Sequence, residues 1–225
     1  DEQAAQYAID HSHGEERSLV MIPVVVHVVW NTSTQNVSDA RVMAQINQLN
    51  LDYARANSDA GNTPSAFTGL AANTDIQFCL AQRDPSGNAT TGIERRQTTV
   101  SSFSSTSDNV KHYSTGGLDA WPSSSYLNLW VCNLGSSLLG YAQFPGGAAS
   151  TDGVAVLYSS VGSMTVPGTI SSYKYGRSAT HEVGHWMNLR HIWGDDGSSC
   201  SGSDQVSDTP NQSSENYGCP SYPHV

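Results

Sequence analysis

Glu182 stands between two histidines, His181 and His185, in the pattern H-E-x-x-H. On an α-helix, residues i and i+4 lie on one face about one turn apart, so both imidazoles can reach one metal ion. Glu182 then sits beside that ion without ligating it, free to exchange a proton with a water molecule. A third histidine, His191, follows six residues after His185. One straight helix cannot present all three, so the helix must end near Asn188 and the chain must turn back. Such a turn needs φ > 0, which costs most residues about 1–2 kcal/mol and is cheap for Gly, then Asn. Three neutral imidazoles leave the fourth position of a tetrahedral Zn²⁺ open to water, as in catalytic rather than structural sites.

The elements that must hold this stretch are legible upstream. Met21 to Trp30 is β-branched and nearly continuous, the pattern of a strand buried on both faces. His27 within it has no partner at ligand spacing and reads as a hydrogen-bonded core histidine. Ser38 is a candidate N-cap for a helix in which Val42, Ile46, Leu49 and Tyr53 make one apolar stripe. Further strands are expected around Asp75–Leu80, Tyr126–Cys132 and Gly153–Tyr158, with a Ser/Thr-rich loop from Thr98 to Ser107. Gly140, Tyr141, Ala142, Gln143 and Phe144 form a short candidate edge strand. Strands and two helices interleave, so the expected class is α/β (α+β), with the histidine helix second. Residues 1–17 read as a flexible polar tail or the end of a pro-segment, 18–191 as one lobe, and 192–225 as the start of an irregular second lobe.

Twenty acidic against ten basic residues give a net charge of −10, which argues against nucleic acid or an anionic membrane as partner. No stretch of about 18 apolar residues is present to span a bilayer. Cys79, Cys132, Cys200 and Cys219 form no C-x-x-C pair, and their even number suggests disulfides in an oxidising compartment, with the pairing open.

The histidine motif continues into Ile192-Trp193-Gly194-Asp195, and downstream come Cys200, Asp204-Gln205-Val206-Ser207-Asp208-Thr209-Pro210 and Gly218-Cys219-Pro220. With Ile22 to Val28, these segments resemble the metzincin zinc metallopeptidases, and among them the pappalysin family (peptidase family M43) in its cytophagalysin- and ulilysin-like microbial members. Metzincins carry Gly where this chain has Asn188. The resemblance implies a two-lobed zincin: a twisted mixed sheet with a backing helix and a zinc helix, then an irregular C-terminal lobe. It also implies a secreted endopeptidase, often preferring Arg beside the scissile bond, with calcium in the second lobe of some members. Metzincins place a methionine turn after the third histidine. No Met follows His191, so the chain is expected to stop short of that turn. Cysteines matching Cys200 and Cys219 are then expected to pair with cysteines beyond Val225.

Further expectations follow. Asp204, Asp208, the Thr209 hydroxyl and the Val206 carbonyl offer hard oxygen donors for Ca²⁺ within six residues. An extended protein or peptide substrate would pair with the edge strand at Gly140–Phe144. Arg17 is the only basic residue before the first strand, so self-cleavage at Arg17–Ser18 would remove the tail and end a latent state. The protein is expected to act as a monomer. Two other readings stand beside the peptidase: a catalytically silent metal-binding module, which would tolerate loss of Glu182, and a zinc hydrolase of a small substrate, which would need a closed pocket.

Overall fold

The valine-rich run forms β1 (Val20–Trp30), the central strand in the computed structural model, which describes residues 18–135, 137–195, 200–207 and 209–217. Along one edge β1 pairs first with β2 (Ile76–Leu80) and then with β3 (Ile93–Gln97). Along the other it pairs with β4 (Leu127–Cys132), whose far side takes β6 (Val154–Leu157). These pairings are parallel, whereas β5 (Gly140–Ala142) runs antiparallel to β6 at the sheet's end. The fold is thus mixed α/β on a twisted mixed sheet.

Strand alternation decides which layer each side chain enters. Val24, Val26 and Val28 of β1, with Leu127, Leu129 and Val131 of β4, face α1 (Asp39–Tyr53) and α2 (Arg177–Trp186). Val29, Trp130 and Cys132 face a second cluster built with Phe103 and Val110 from the β3–β4 loop. Ser38 caps α1 by accepting from the Arg41 N–H at 3.4 Å. The stripe Val42, Ile46, Leu49 and Tyr53 is buried, each such side chain contributing about 1.5–3 kcal/mol.

Polar bonds then fasten α1 to α2. The Tyr53 hydroxyl donates to Thr180 O at 3.2 Å, and Asp52 accepts from Thr180 Oγ1 at 2.6 Å while pairing with Arg177 Nε at 3.2 Å. Buried Gln45 donates to Gly176 O at 3.0 Å, immediately before α2, and accepts from the Gly162 N–H at 3.1 Å.

His27 is fully buried. Its Nδ1 lies 2.9 Å from Glu94 Oε2 and its Nε2 2.9 Å from Asn128 Oδ1. Asn128 Oδ1 also accepts from the Trp121 N–H, and its amide nitrogen donates to Trp121 O, which fixes the amide's orientation. His27 Nε2 therefore donates to Asn128 Oδ1.

Sequence and structure differ in two strands. β3 carries Glu94-Arg95-Arg96 and no apolar alternation, so nothing in its composition announces a strand. It forms because β1 is long enough to offer its second half to another partner. The edge strand is shorter than Gly140–Phe144: it stops at Ala142, although the Gln143 N–H still donates to Gly153 O at 3.1 Å. Pro145 has no N–H to continue the ladder.

No disulfide joins the described cysteines Cys79, Cys132 and Cys200. Arg17, Asp208 and Cys219 lie outside the described residues, and with them the tail and the Arg17 side of the expected cleavage point; Ser18 is exposed. After His191 the described residues contain no helix or strand. Among the described residues, no helix is long and apolar enough to cross a membrane.

The His27–Glu94 pair makes stability depend on pH. Burial raises the Glu94 carboxyl, but the hydrogen bond and charge of His27 outweigh it and hold the group below its ordinary value. Its stabilising contribution is therefore present above the unfolded-state carboxylate value and is lost as pH falls through the lower folded value. In thermal unfolding with chelator present, Glu94→Gln should flatten the acid side of the wild-type profile. Parallel profiles for the two proteins would remove this role.

Candidate metal centre and cleft

Gly176 stands as the N-cap before α2, where its φ of 80° and the nearness of Gly162 O leave no room for a side chain. Ten residues later the helix ends by a Schellman arrangement. The Asn188 N–H donates to His185 O and the Leu189 N–H to Gly184 O, each at 2.9 Å, with Asn188 at φ 73°. Leu189 folds back over Gly184, where a β-carbon would stand 3.7 Å from its Cδ1. That reversal carries the chain from the helix axis to His191.

The three histidines then converge. Nε2 of His185 lies 2.9 Å from that of His181 and 3.1 Å from that of His191, and the remaining separation is 3.2 Å. Three tetrahedral ligands at Zn–N distances of about 2.0–2.1 Å stand roughly 3.3 Å apart, so the donor set fits zinc. Among the described residues this triad is the group of His, Cys, Asp and Glu side chains whose ligand atoms meet within 4.8 Å.

The groups behind the ligands favour the same role. His185 Nδ1 donates to Leu189 O at 2.8 Å, and His191 Nδ1 lies 2.9 and 3.1 Å from the two Asp195 oxygens. Each places a hydrogen on Nδ1 and leaves the Nε2 lone pair for a metal. Trp193 stacks on His191 at 4.3 Å and 7°, and the Phe144 ring lies 5.3 Å from that of His185. Burial, then the neighbouring His185 and His191, lower the pKa of His181 and favour its neutral, ligating form.

Glu182 is 7% exposed, and burial pushes its carboxyl up to about 7. A group so placed can take and return protons near neutrality, while a cation beside it favours the carboxylate. The last turn of α2 is held from the sheet side: Trp186 Nε1 donates to Asp152 Oδ1 at 2.6 Å, and Asp152 O accepts from Asn128 at 3.3 Å. The zinc helix and the His27 network thus share one loop.

A cleft of about 740 Å³ runs between β5 and α2, lined by Gly140, Ala142, Tyr173, His181, Glu182 and Tyr217 among others. Leu139 O accepts from the Leu157 N–H, and the Gln143 N–H donates to Gly153 O. Residues 139, 141 and 143 therefore turn their backbone groups toward β6, leaving those of Gly140 and Ala142 facing the cleft.

Of the expected calcium donors, Asp204, Val206 and Thr209 lie among the described residues. Asp204 is buried and its Oδ1 accepts from the Val206 N–H at 3.0 Å; Val206 O accepts from the Thr209 N–H at 3.4 Å. This is a local turn, with Asp208 outside the described residues. The sequence assigned no role to Asp195, Trp193, Asp152 or the Leu189 carbonyl. Asp195 carried one usable signal, its i+4 spacing from His191.

A helix that reverses to set a third histidine against its own two marks the metzincin-like zincins, and this architecture belongs to that class. The family model described as pregnancy-associated plasma protein-A, of peptidase family M43, matches residues 109–220. Mature mirolysin of Tannerella forsythia, solved in complex with a cleaved peptide, is 55% identical with a TM-score of 0.89, over 93% of this chain and 78% of that one. A promirolysin mutant from the same organism is 52% identical with a TM-score of 0.91, over 99% of this chain and 73% of that one. An extracellular metalloprotease of Arthroderma benhamiae is 31% identical over 204 residues, 90% of this chain and 63% of the relative. The chain thus spans less than two thirds of the length of the curated relatives it matches. It belongs to the pappalysin family of metallopeptidases, a family that implies zinc at the histidine triad.

The left-handed turn yields a direct test. Asn188→Gly should leave zinc binding intact. Asn188→Val, a β-branched residue at φ > 0, should cost about 1–2 kcal/mol of site formation, roughly a tenfold loss of zinc affinity. Metal titration of both variants decides it; full affinity in the Val variant would remove the turn from the account.

Proposed function

We propose that this chain is the catalytic region of a secreted zinc endopeptidase that cuts extended segments of protein substrates. The observation that carries the reading is the convergence of His181, His185 and His191 beside buried Glu182, on a cleft whose other wall is an unpaired strand edge. An open cleft bordered by free backbone groups suits a polypeptide better than a small molecule. The cleaved peptide in the mirolysin structure supports the same view.

His181, His185 and His191 would hold zinc, and Glu182 would serve as general base and acid. Bound there, zinc supplies Lewis acidity to the scissile carbonyl and to water. Gly140 and Ala142 pair with the substrate backbone and hold it extended, which is β-augmentation. Glu182 removes a proton from the attacking water. The carbon–nitrogen bond breaks as Glu182 passes that proton to the leaving amine. Leu189 O and Asp195 keep His185 and His191 oriented throughout.

Arg beside the scissile bond is proposed from the family resemblance, and the net charge of −10 helps attract cationic segments. Secretion rests on relatives described as extracellular metalloproteases. Calcium is proposed at the Asp204–Thr209 turn, where carboxylate, carbonyl and hydroxyl oxygens are concentrated in sequence.

Two measurements test this reading. Glu182→Ala should lower kcat/KM on an Arg-containing peptide by about 10²–10⁴-fold while zinc content stays at the wild-type level. Near-normal turnover, or wild-type cleavage undiminished by chelator, would refute the mechanism. Calcium should raise the midpoint of thermal unfolding and slow proteolysis of the segment after His191; identical behaviour with and without calcium would remove that ion.

A further inference from the structure

Gly140 opens β5 where that strand passes over α2. Its φ is not in the left-handed region, so the backbone there does not ask for glycine. The space does. A β-carbon at this position would stand 2.6 Å from Cγ, 2.8 Å from Oε1 and 3.0 Å from Cδ of Glu182. Ordinary carbon contacts lie at about 3.5–4.0 Å, so even a methyl group would have to displace the side chain. Glu182 is itself buried and rooted in α2, so moving it means leaving its rotamer. Gly184, inside the histidine motif, makes the contrast. A β-carbon there meets only ordinary contacts at 3.7 Å or more, so close approach is not general among glycines near the site.

We propose that Gly140 is a positioning residue for Glu182: the bare backbone of the edge strand lies directly against the glutamate and fixes where its carboxylate sits. The inference rests on the peptidase reading above and adds a residue to it. The same residue turns its own N–H and C=O into the cleft. The spacing between the substrate-binding edge and the proton-transferring carboxylate is therefore set through one residue, with no side chain between them.

The test uses the zinc-loaded chain and a double-mutant cycle. In Gly140→Ala, kcat on a fluorogenic peptide should fall by about a hundredfold, the scale expected for a misplaced catalytic group. KM should stay within about twofold, since the strand's hydrogen-bonding groups are unchanged. Zinc content should match wild type. Gly140→Ala should also lower the thermal midpoint when Glu182 is present, and not when Glu182→Ala has removed the atoms the methyl meets. Unchanged kcat, a change confined to KM, or an equal thermal loss in both backgrounds would each overturn the assignment. If Gly140→Ala alone fails to fold, a folded double variant supports the contact and an unfolded one refutes it. A wild-type protein with no peptidase activity would sink the peptidase reading, and the thermal cycle would still decide whether Gly140 and Glu182 press on each other.

Discussion

Three imidazole nitrogens must meet within about the width of one metal ion, and a straight helix can supply only two. The left-handed residue at Asn188 resolves that conflict. Its conformation lets Gly184 O accept from Leu189, brings Leu189 O to His185, and sends the chain back so that His191 faces His181. One backbone reversal therefore ends the helix, orients one ligand and delivers another. The cost of φ > 0 is moderated by the choice of Asn and offset by two hydrogen bonds of the helix terminus.

A site this tightly spaced depends on where the helix itself is held. α2 is fastened at its beginning by Gln45 and Asp52 of α1 and at its end by Asp152 through Trp186. These bonds are partly or wholly buried, where a satisfied polar pair holds position firmly and an unsatisfied one would be costly. Asp152 also accepts from Asn128, whose side chain accepts from His27 in the central strand. The metal-binding helix and the middle of the sheet are thus joined by polar contacts as well as by the shared apolar core of Val154, Val156, Ala179 and Val183.

The cleft follows from the one reversal of strand direction. The parallel strands β1, β4 and β6 each have a neighbour on both sides, and the first two are buried on both faces, as such sheets require. β5 runs the other way, is only three residues long, and leaves alternate backbone groups open beside the histidines. An exposed strand edge is ordinarily an aggregation hazard. Here its brevity and the Pro145 and Gly146 that follow limit the hazard, while the opening is what the proposed pairing with a substrate strand would use.

By itself the sequence determined the spacing of the candidate metal ligands and the main elements. H-E-x-x-H with a third histidine six residues on points to a metal site, a candidate base and a turn, because helical spacing and the conformational preference of Asn are local properties. Val24 to Val29 and the stripe from Val42 to Tyr53 declared the central strand and the backing helix by period alone. Tertiary structure decided what lacks a local signature. β3 is a strand only because β1 extends past β2, and its charged residues gave no warning. Asp152 and Asn128 act across 24 residues, and Gln45 reaches Gly176 across 131, distances that no periodicity encodes. Gly140 reads in sequence as the first residue of a short edge strand, with nothing to mark it as a neighbour of Glu182. Its closeness to Glu182 exists only once β5 is laid over α2, because contact between two elements is set by packing and not by either chain segment alone.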